Sequence, residues 1–131
     1  MIVVETSAWV EFLRGTRSGA ATSVRRLITS HASEIVVAEP TMLELLCGPT
    51  DEGEVRRVRR LLHQFEIAPI APGIDTELAA EVARACRRAG RTVRSVVDCL
   101  IAAIAIRLGA PVLHRDRDFD VMARHSLLQI V

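Results

Sequence analysis

Short apolar runs alternate with helix-forming segments along this chain, and that alternation restricts the fold more than any other feature of the sequence. Strands are predicted at residues 2–5, 35–37, 65–70, 112–114 and 127–130. Short apolar strands separated by helices are typical of sheets that are covered on both faces. The sequence therefore predicts an α/β fold with a parallel, doubly covered sheet.

Helices are predicted between these strands from their caps and breakers. Thr6 and Ser7 are interpreted as caps of the first helix, Pro40 as a first-turn residue, and Asp118 as the cap of a short final helix. The other helices are predicted at about residues 8–14, 18–30, 40–47, 54–64, 75–89 and 96–108. In such folds ligands bind outside the carboxyl ends of the strands, so a site is expected at that edge.

The length and apolar content of the chain suit one globular unit. For a chain of 131 residues we expect a single domain over residues 1–131, large enough to bury a hydrophobic core without disulfides or a structural metal. The longest apolar stretch, residues 99–106, is far shorter than the roughly 20 residues of a membrane span. No basic region precedes the first apolar run, so no secretory signal is predicted and we expect a cytoplasmic protein. The three cysteines, at 47, 86 and 99, are expected to be reduced core thiols.

All 17 basic residues are arginine, because the chain contains no lysine. This excludes a P-loop, a Schiff-base lysine and a receiver-type phosphoacceptor site, each of which needs lysine. The arginines cluster at residues 56–60 and 84–94, and guanidinium groups suit phosphate recognition. For the first cluster a solvated helix face is an equally good interpretation.

Four acidic residues sit where a carboxylate is costly unless it binds a metal ion. Glu5 ends the first apolar run, Glu44 and Asp98 lie within apolar helical segments, and Asp116 follows a strand. Carboxylates that converge in an apolar pocket repel one another and take up protons unless a divalent cation neutralises them. If the topology brings them together, the natural ligand is Mg²⁺ or Mn²⁺.

Each acidic residue also has an ordinary structural interpretation. Ser95-x-x-Asp98 and Thr41-x-x-Glu44 have the form of capping boxes, in which the acid satisfies backbone donors at a helix start. Asp118 is interpreted as a helix cap first and as an outer metal ligand second. The combination of all these acids is harder to explain by capping than any one of them.

Four short motifs, in order along nearly the whole chain, resemble a known family. They are Ile2-Val3-Val4-Glu5-Thr6-Ser7-Ala8-Trp9-Val10, Glu44-Leu45-Leu46-Cys47-Gly48, the segment from Val93 to Ala102, and His114-Arg115-Asp116-Arg117-Asp118-Phe119. Together they resemble the PIN-domain ribonucleases, and in particular the VapC toxins of toxin-antitoxin pairs. The resemblance implies a three-layer α/β/α fold with a central parallel sheet of about five short strands.

The resemblance also implies a site, a cofactor and partners. Its catalytic, metal-binding quartet corresponds to Glu5, Glu44, Asp98 and Asp116, with Asp118 as a further metal ligand. Thr6 matches the hydroxyl residue beside the first carboxylate, and Arg94, with arginines from residues 84–91, is predicted to hold the RNA backbone. The resemblance further implies Mg²⁺ or Mn²⁺, cleavage of RNA such as tRNA, a homodimer, and neutralisation by a VapB antitoxin.

The chain departs from the family pattern at its first acidic position, which is nearly always Asp and here is Glu5. One extra methylene displaces the carboxylate, and Mg²⁺ tolerates misplaced ligands poorly. A weakened enzyme is one interpretation, and an inactivated PIN module that acts by binding a partner or RNA is the alternative. A metal nuclease acting on DNA is a further alternative, less favoured because no insertion for holding DNA is evident.

Overall fold

The computed structural model describes residues 1–131 and contains a parallel four-stranded sheet with strands in the order β3-β2-β1-β4. The strands are β1 (Ile2–Val4), β2 (Ile35–Ala38), β3 (Glu66–Ala68) and β4 (Val112–Leu113). Val3 of β1 pairs with Val36 of β2 on one side and with Val112 of β4 on the other. The predicted parallel sheet is confirmed, and Glu5 directly follows β1, one of its two inner strands.

The fifth predicted strand, residues 127–130, is not formed. Ile130 makes one isolated parallel bridge with Val112, and the neighbouring Leu127 is 85% exposed. Because β4 is only two residues long, it offers too short an edge for a longer ladder. The sheet therefore has four strands and not about five.

Seven α-helices cover the sheet: α1 (Thr6–Leu13), α2 (Gly19–Ser30), α3 (Glu39–Cys47), α4 (Glu52–Leu62), α5 (Ile74–Arg88), α6 (Val96–Leu108) and α7 (Arg117–His125). A single 3₁₀ turn, Ala32–Glu34, precedes β2. None of the helices is long and apolar enough to cross a membrane.

Two helix caps differ from the prediction. Thr6 and Ser7 lie inside α1, and the cap is Glu5, whose side chain accepts from the Ser7 N–H. Asp118 lies inside α7, and the cap is Asp116, whose side chain accepts from the Asp118 N–H. In both cases an acidic residue at the end of a strand satisfies a free donor of the next helix, as capping side chains do.

The core has two halves, one on each face of the sheet. Val3 packs with residues of α5, α6 and α7, whereas the adjacent Val4 packs with residues of α1, α2 and α4. Successive side chains of a strand point to opposite faces, so each strand serves both halves. This arrangement confirms the three-layer α/β/α architecture.

The cysteines divide between core and surface. Cys86 and Cys99 are buried free thiols in the half of the core beside α5 and α6, as predicted. Cys47 is exposed, so its assignment to the core is wrong. It is the last residue of α3, where the helix leaves the apolar interior.

Candidate active site

The predicted acidic residues form two groups that share one member. Carboxylate oxygens of Glu5, Glu44 and Asp98 lie within 4.8 Å of one another, and those of Asp98, Asp116 and Asp118 do so as well. Glu5 and Asp116 follow the adjacent parallel strands β1 and β4, while α3 and α6 supply Glu44 and Asp98. The fold thus brings all five carboxylates to the carboxyl edge of the sheet, with Asp98 between the two groups.

Glu5 is the most deeply buried acid of the cluster, with 3% of its surface exposed. Its Oε2 accepts hydrogen bonds from the Ser7 N–H at 2.9 Å and the Ser7 hydroxyl at 2.5 Å. Burial raises the pKa of Glu5 to about 7, the two Ser7 hydrogen bonds oppose the shift, and the charges of Asp98 and Glu44 add to it. A cation placed beside Glu5 would reverse the unfavourable effect of burial on its charged form.

Ser7 contacts the acidic cluster in a way that the sequence analysis missed, since it was interpreted only as a helix cap. Its hydroxyl donates to Glu5 and accepts from the backbone N–H of Arg115 at 2.7 Å. It therefore connects the first carboxylate to the segment that follows β4. A hydroxyl two residues after an acid at a strand end is the local pattern that could have indicated this contact.

Thr6 and Glu44 form a second link across the site. The Thr6 hydroxyl donates a 2.6 Å hydrogen bond to Oε1 of Glu44. Thr41 does not cap α3, because the cap position is Ala38 and the buried Thr41 hydroxyl has no hydrogen-bond partner. The capping interpretation of Glu44 is therefore wrong, and its carboxylate points to the acidic cluster.

Asp98 lies in the first turn of α6 and is 8% exposed. Ser95 caps this helix through a hydrogen bond from the Val97 N–H, whereas Asp98 accepts no hydrogen bond. Burial raises the pKa of Asp98 to about 6, with further increases from Asp116 and Glu44 and a smaller opposing effect of Arg94. Half of the predicted capping box is present, but Asp98 itself faces the other carboxylates.

Arg94 is bound to the outer carboxylates in this structure. Its Nη2 donates to Oδ1 of Asp116 and its Nε donates to Oδ2 of Asp118, each at 3.0 Å. The guanidinium is largely exposed, with 75% of its side-chain surface accessible. The residue predicted to hold RNA therefore lies at the mouth of the acidic cluster and compensates part of its charge.

The donor set fits a hard divalent cation. All its candidate ligands are carboxylate oxygens, which Mg²⁺ and Mn²⁺ prefer over softer donors. Two of the acids have raised pKa values. Arg94 is the one arginine whose guanidinium is hydrogen-bonded to members of the cluster, and it contacts only Asp116 and Asp118. Glu5, Glu44 and Asp98 could hold one ion, and Asp98 with Asp116 and Asp118 could hold a second.

The family assignment follows from comparison with known proteins. A family model described as "PIN domain" matches residues 2–125. The chain belongs to the PIN-domain family. Ribonuclease VapC11 of Mycobacterium tuberculosis and VapC ribonuclease Mb1587 of Mycobacterium bovis are each 49% identical over 129 residues, which is 98% of this chain and 96% of the relative. At this identity and coverage, the PIN domain described here is a member of the VapC ribonuclease family.

Solved structures agree with this PIN-domain fold. VapBC2 from Rickettsia felis, crystallised with a DNA fragment from its promoter, matches with a TM-score of 0.77 at 18% identity, covering 100% of this chain and 98% of that one. At such low identity the match is informative about the fold alone. The resemblance noted in the sequence motifs is confirmed by the family model and by the VapC relatives.

Proposed function

We propose that this chain, as one PIN domain over residues 1–131, is a metal-dependent endoribonuclease toxin. The observation that carries the proposal is the convergence of Glu5, Glu44, Asp98 and Asp116 at one edge of the sheet in a VapC family member. Four acids remote in sequence, two of them with raised pKa values, are unfavourable for folding unless they bind a cation. Phosphodiester hydrolysis is the chemistry that such a site suits best.

Mg²⁺ or Mn²⁺ is the proposed cofactor, held by Glu5, Glu44, Asp98, Asp116 and Asp118. Bound there, the ion would lower the pKa of a water molecule and neutralise negative charge on the phosphodiester. Thr6 holds the Glu44 carboxylate in place, and Ser7 does the same for Glu5. Side-chain donors that fix the orientation of ligands are expected to matter nearly as much as the ligands.

Arg94 is proposed to contact the substrate. Its guanidinium lies at the outer carboxylates and remains largely exposed, so it can reach a phosphate that approaches the cluster. With three phenylalanines, one tryptophan and no tyrosine, the chain has few aromatic side chains for stacking on unpaired bases. A structured RNA such as tRNA therefore suits it better than an unstructured strand.

A VapB-type antitoxin and a second copy of the chain are the proposed partners. The support for the antitoxin is membership of the VapC family, together with structural neighbours that are described as a toxin-antitoxin complex and as VapBC complexes. The support for the homodimer is a set of exposed large apolar side chains, including Leu43, Ile74, Val96 and Leu127. Light scattering that gives a monomer at every concentration would reject the dimer, and co-expression with the neighbouring upstream reading frame tests the antitoxin.

The alternative is an inactivated PIN module that binds RNA or a partner without cutting. The observation that favours it is Glu5 at the position where the family pattern has Asp. The alternative predicts RNA binding that does not lead to cleavage under any metal condition.

Incubation of the purified protein with labelled tRNA and with duplex DNA, each with Mn²⁺ or with EDTA, separates these functions. We expect cleavage of tRNA with Mn²⁺, none with EDTA, and none in Asp98→Asn. Cleavage of DNA alone would indicate a DNA nuclease, and no cleavage of either substrate would favour the inactivated module. Glu77→Gln, which removes an exposed acid of α5, is the control for a change in net charge.

A further inference from the structure

A polar recess lies beside the acidic cluster. It has a volume of about 470 Å³ and lies between the loop that precedes α6 and one face of α7. Its lining includes Arg91 and Arg94 from the loop and Arg117 and Arg124 from the helix. Asp118, a member of the outer carboxylate group, forms part of the same wall, so the recess continues directly into the proposed active site.

Three of the four arginines are not paired. Arg94 is bound to Asp116 and Asp118, whereas the side chains of Arg91, Arg117 and Arg124 take part in no hydrogen bond or ion pair. They are exposed to solvent, and no carboxylate holds them in place. Their charges are therefore available to an incoming anion.

The helix presents its two arginines together. Arg117, Val121 and Arg124 are spaced i, i+4 and i+7 along α7, which places them on one face of the helix. Of the two acids in the recess, Asp118 accepts from Arg94, so Asp120 alone is left to offset the charges of the three unpaired arginines. The charge that remains is predominantly positive, although the chain as a whole has a formal net charge of only +1.

We propose that this recess is a phosphate-binding subsite, in which Arg117 and Arg124, assisted by Arg91, hold an RNA backbone phosphate next to the one that is cut. This inference rests on the proposed ribonuclease function and adds residues outside the acidic cluster to it. Guanidinium groups bind phosphate through paired N–H donors, and an RNA chain crossing the carboxylates would carry its next phosphates over this wall. An acidic peptide is the other anion that could fill the recess, but it lacks the regular phosphates that continue into a hydrolytic site.

The test is an RNA-binding measurement in a variant that does not cut. In an Asp98→Asn background, fluorescence anisotropy of labelled bulk tRNA is recorded against protein concentration at several KCl concentrations with Mn²⁺ present. The double variant Arg117→Gln/Arg124→Gln is expected to weaken binding about 10-fold or more at low salt. The slope of log K against log salt should also fall by about 0.7–0.9, which is the change expected when one phosphate contact is lost.

The matched control removes the same charge elsewhere. Arg59 and Arg60 are exposed on α4, on the opposite face of the sheet, and neither side chain is paired. Of the two interpretations of this arginine cluster, the structure favours the solvated helix face. Arg59→Gln/Arg60→Gln should retain the parental salt slope, and Arg117→Lys/Arg124→Lys should recover part of the lost affinity. Equal losses in the two glutamine doubles would overturn the subsite, because binding would then depend on net charge alone. Unchanged binding in the α7 double would overturn it as well.

The two proposals fail in different ways. If the unmodified protein cleaves tRNA with Mn²⁺ but the α7 double binds tRNA normally, the subsite is wrong and the ribonuclease function stands. If the unmodified protein cleaves nothing while the α7 double still loses affinity, the recess binds RNA in a protein that is not a ribonuclease. Circular dichroism of each variant checks that these exposed substitutions leave the fold unchanged.

Discussion

Ser7 donates both its backbone N–H and its hydroxyl to the same oxygen, Oε2, of Glu5. The Glu5 side chain is consequently curled back over the start of α1, where it caps the helix. Only Oε1 is left without a donor. A carboxylate that caps a helix has little freedom to adjust to the geometry that the proposed metal ion requires.

Glu5→Asp is expected to increase metal-dependent RNA cleavage. Aspartate is among the preferred capping residues, so the shorter side chain can keep the Ser7 contacts while it matches the acid usual in this family. Because a misplacement of about 1 Å can reduce a rate on the order of 100-fold, we expect a gain of about 10-fold or more. Single-turnover cleavage of tRNA by both forms at equal Mn²⁺ measures it. An Asp form no faster than the Glu form would mean that the site is shaped for Glu5.

Mn²⁺ is expected to stabilise the protein through Asp98. A ligand that binds only the native state stabilises it by about 2.7 kcal/mol at a concentration 100 times its Kd, which corresponds to a rise in Tm of roughly 5–10 °C. Asp98→Asn should remove most of this rise, because Asp98 belongs to both carboxylate groups. Melting curves with Mn²⁺ and with EDTA test this, with Glu77→Gln as the control that keeps the full response. A normal rise in the Asp98→Asn variant would exclude Asp98 as a ligand.

The metal-free protein is expected to lose stability as the pH rises from about 4.5 to 7. The folded-state pKa of Glu5 is about 7 and that of Asp98 about 6, against ordinary values of 4.5 and 3.8. A raised pKa means that the native state binds more protons than the unfolded chain between the two pKa values. The stabilisation that these two acids give to the native state is therefore complete at low pH and is lost as the pH rises through their folded-state pKa values. Chemical unfolding in EDTA across this range measures the slope, which should be flatter in Glu5→Gln/Asp98→Asn. With saturating Mn²⁺ the slope should reverse, since the metal requires ionised ligands.

Arg107→Ala is expected to destabilise the fold by about 3 kcal/mol without a direct effect on the site. Arg107 donates to both carboxylate oxygens of the fully buried Asp75, at 2.8 Å from Nε and 2.9 Å from Nη2. Burial alone would raise the pKa of Asp75, but the Arg107 hydrogen bonds lower it, and the variant would leave that buried acid unpaired. Urea unfolding at pH 7 gives the change, with the exposed Arg84→Ala as the control. A loss no larger than that of the control would contradict the expected role of the pair.

The alternation of apolar runs and helices was sufficient to predict the sheet, because a parallel strand that is buried on both faces consists almost entirely of apolar residues. It failed at residues 127–130, where Leu128 is buried but Leu127 is not. Whether such a run becomes a strand depends on the length of its neighbour, and β4 supplies only two residues. The length of β4 is a property of the tertiary structure, so it cannot be read from the sequence of residues 127–130.

The acidic residues of the site could be predicted because a carboxylate among apolar neighbours is unusual enough to be noticed. The contacts of Ser7 and Arg94 could not, since each depends on how a loop from one part of the chain meets a helix from another. Ser7 contacts the backbone of Arg115, 108 positions away, and Arg94 contacts Asp118, 24 positions away. Arg117 and Arg124 were missed as a possible subsite for the same reason, because their recess exists only once α7 is docked.

The pairing of β1 with β4 has a consequence for how the protein becomes active during its synthesis. Glu5 is made more than a hundred residues before Asp116 and Asp118, the acids that follow the neighbouring strand β4. A ribosome that has translated the first three helices holds a chain with Glu5 and Glu44 and no partner for them. A growing or prematurely terminated chain that lacks these acids is therefore expected to be inert as a nuclease until β4 and the residues after it have joined the sheet.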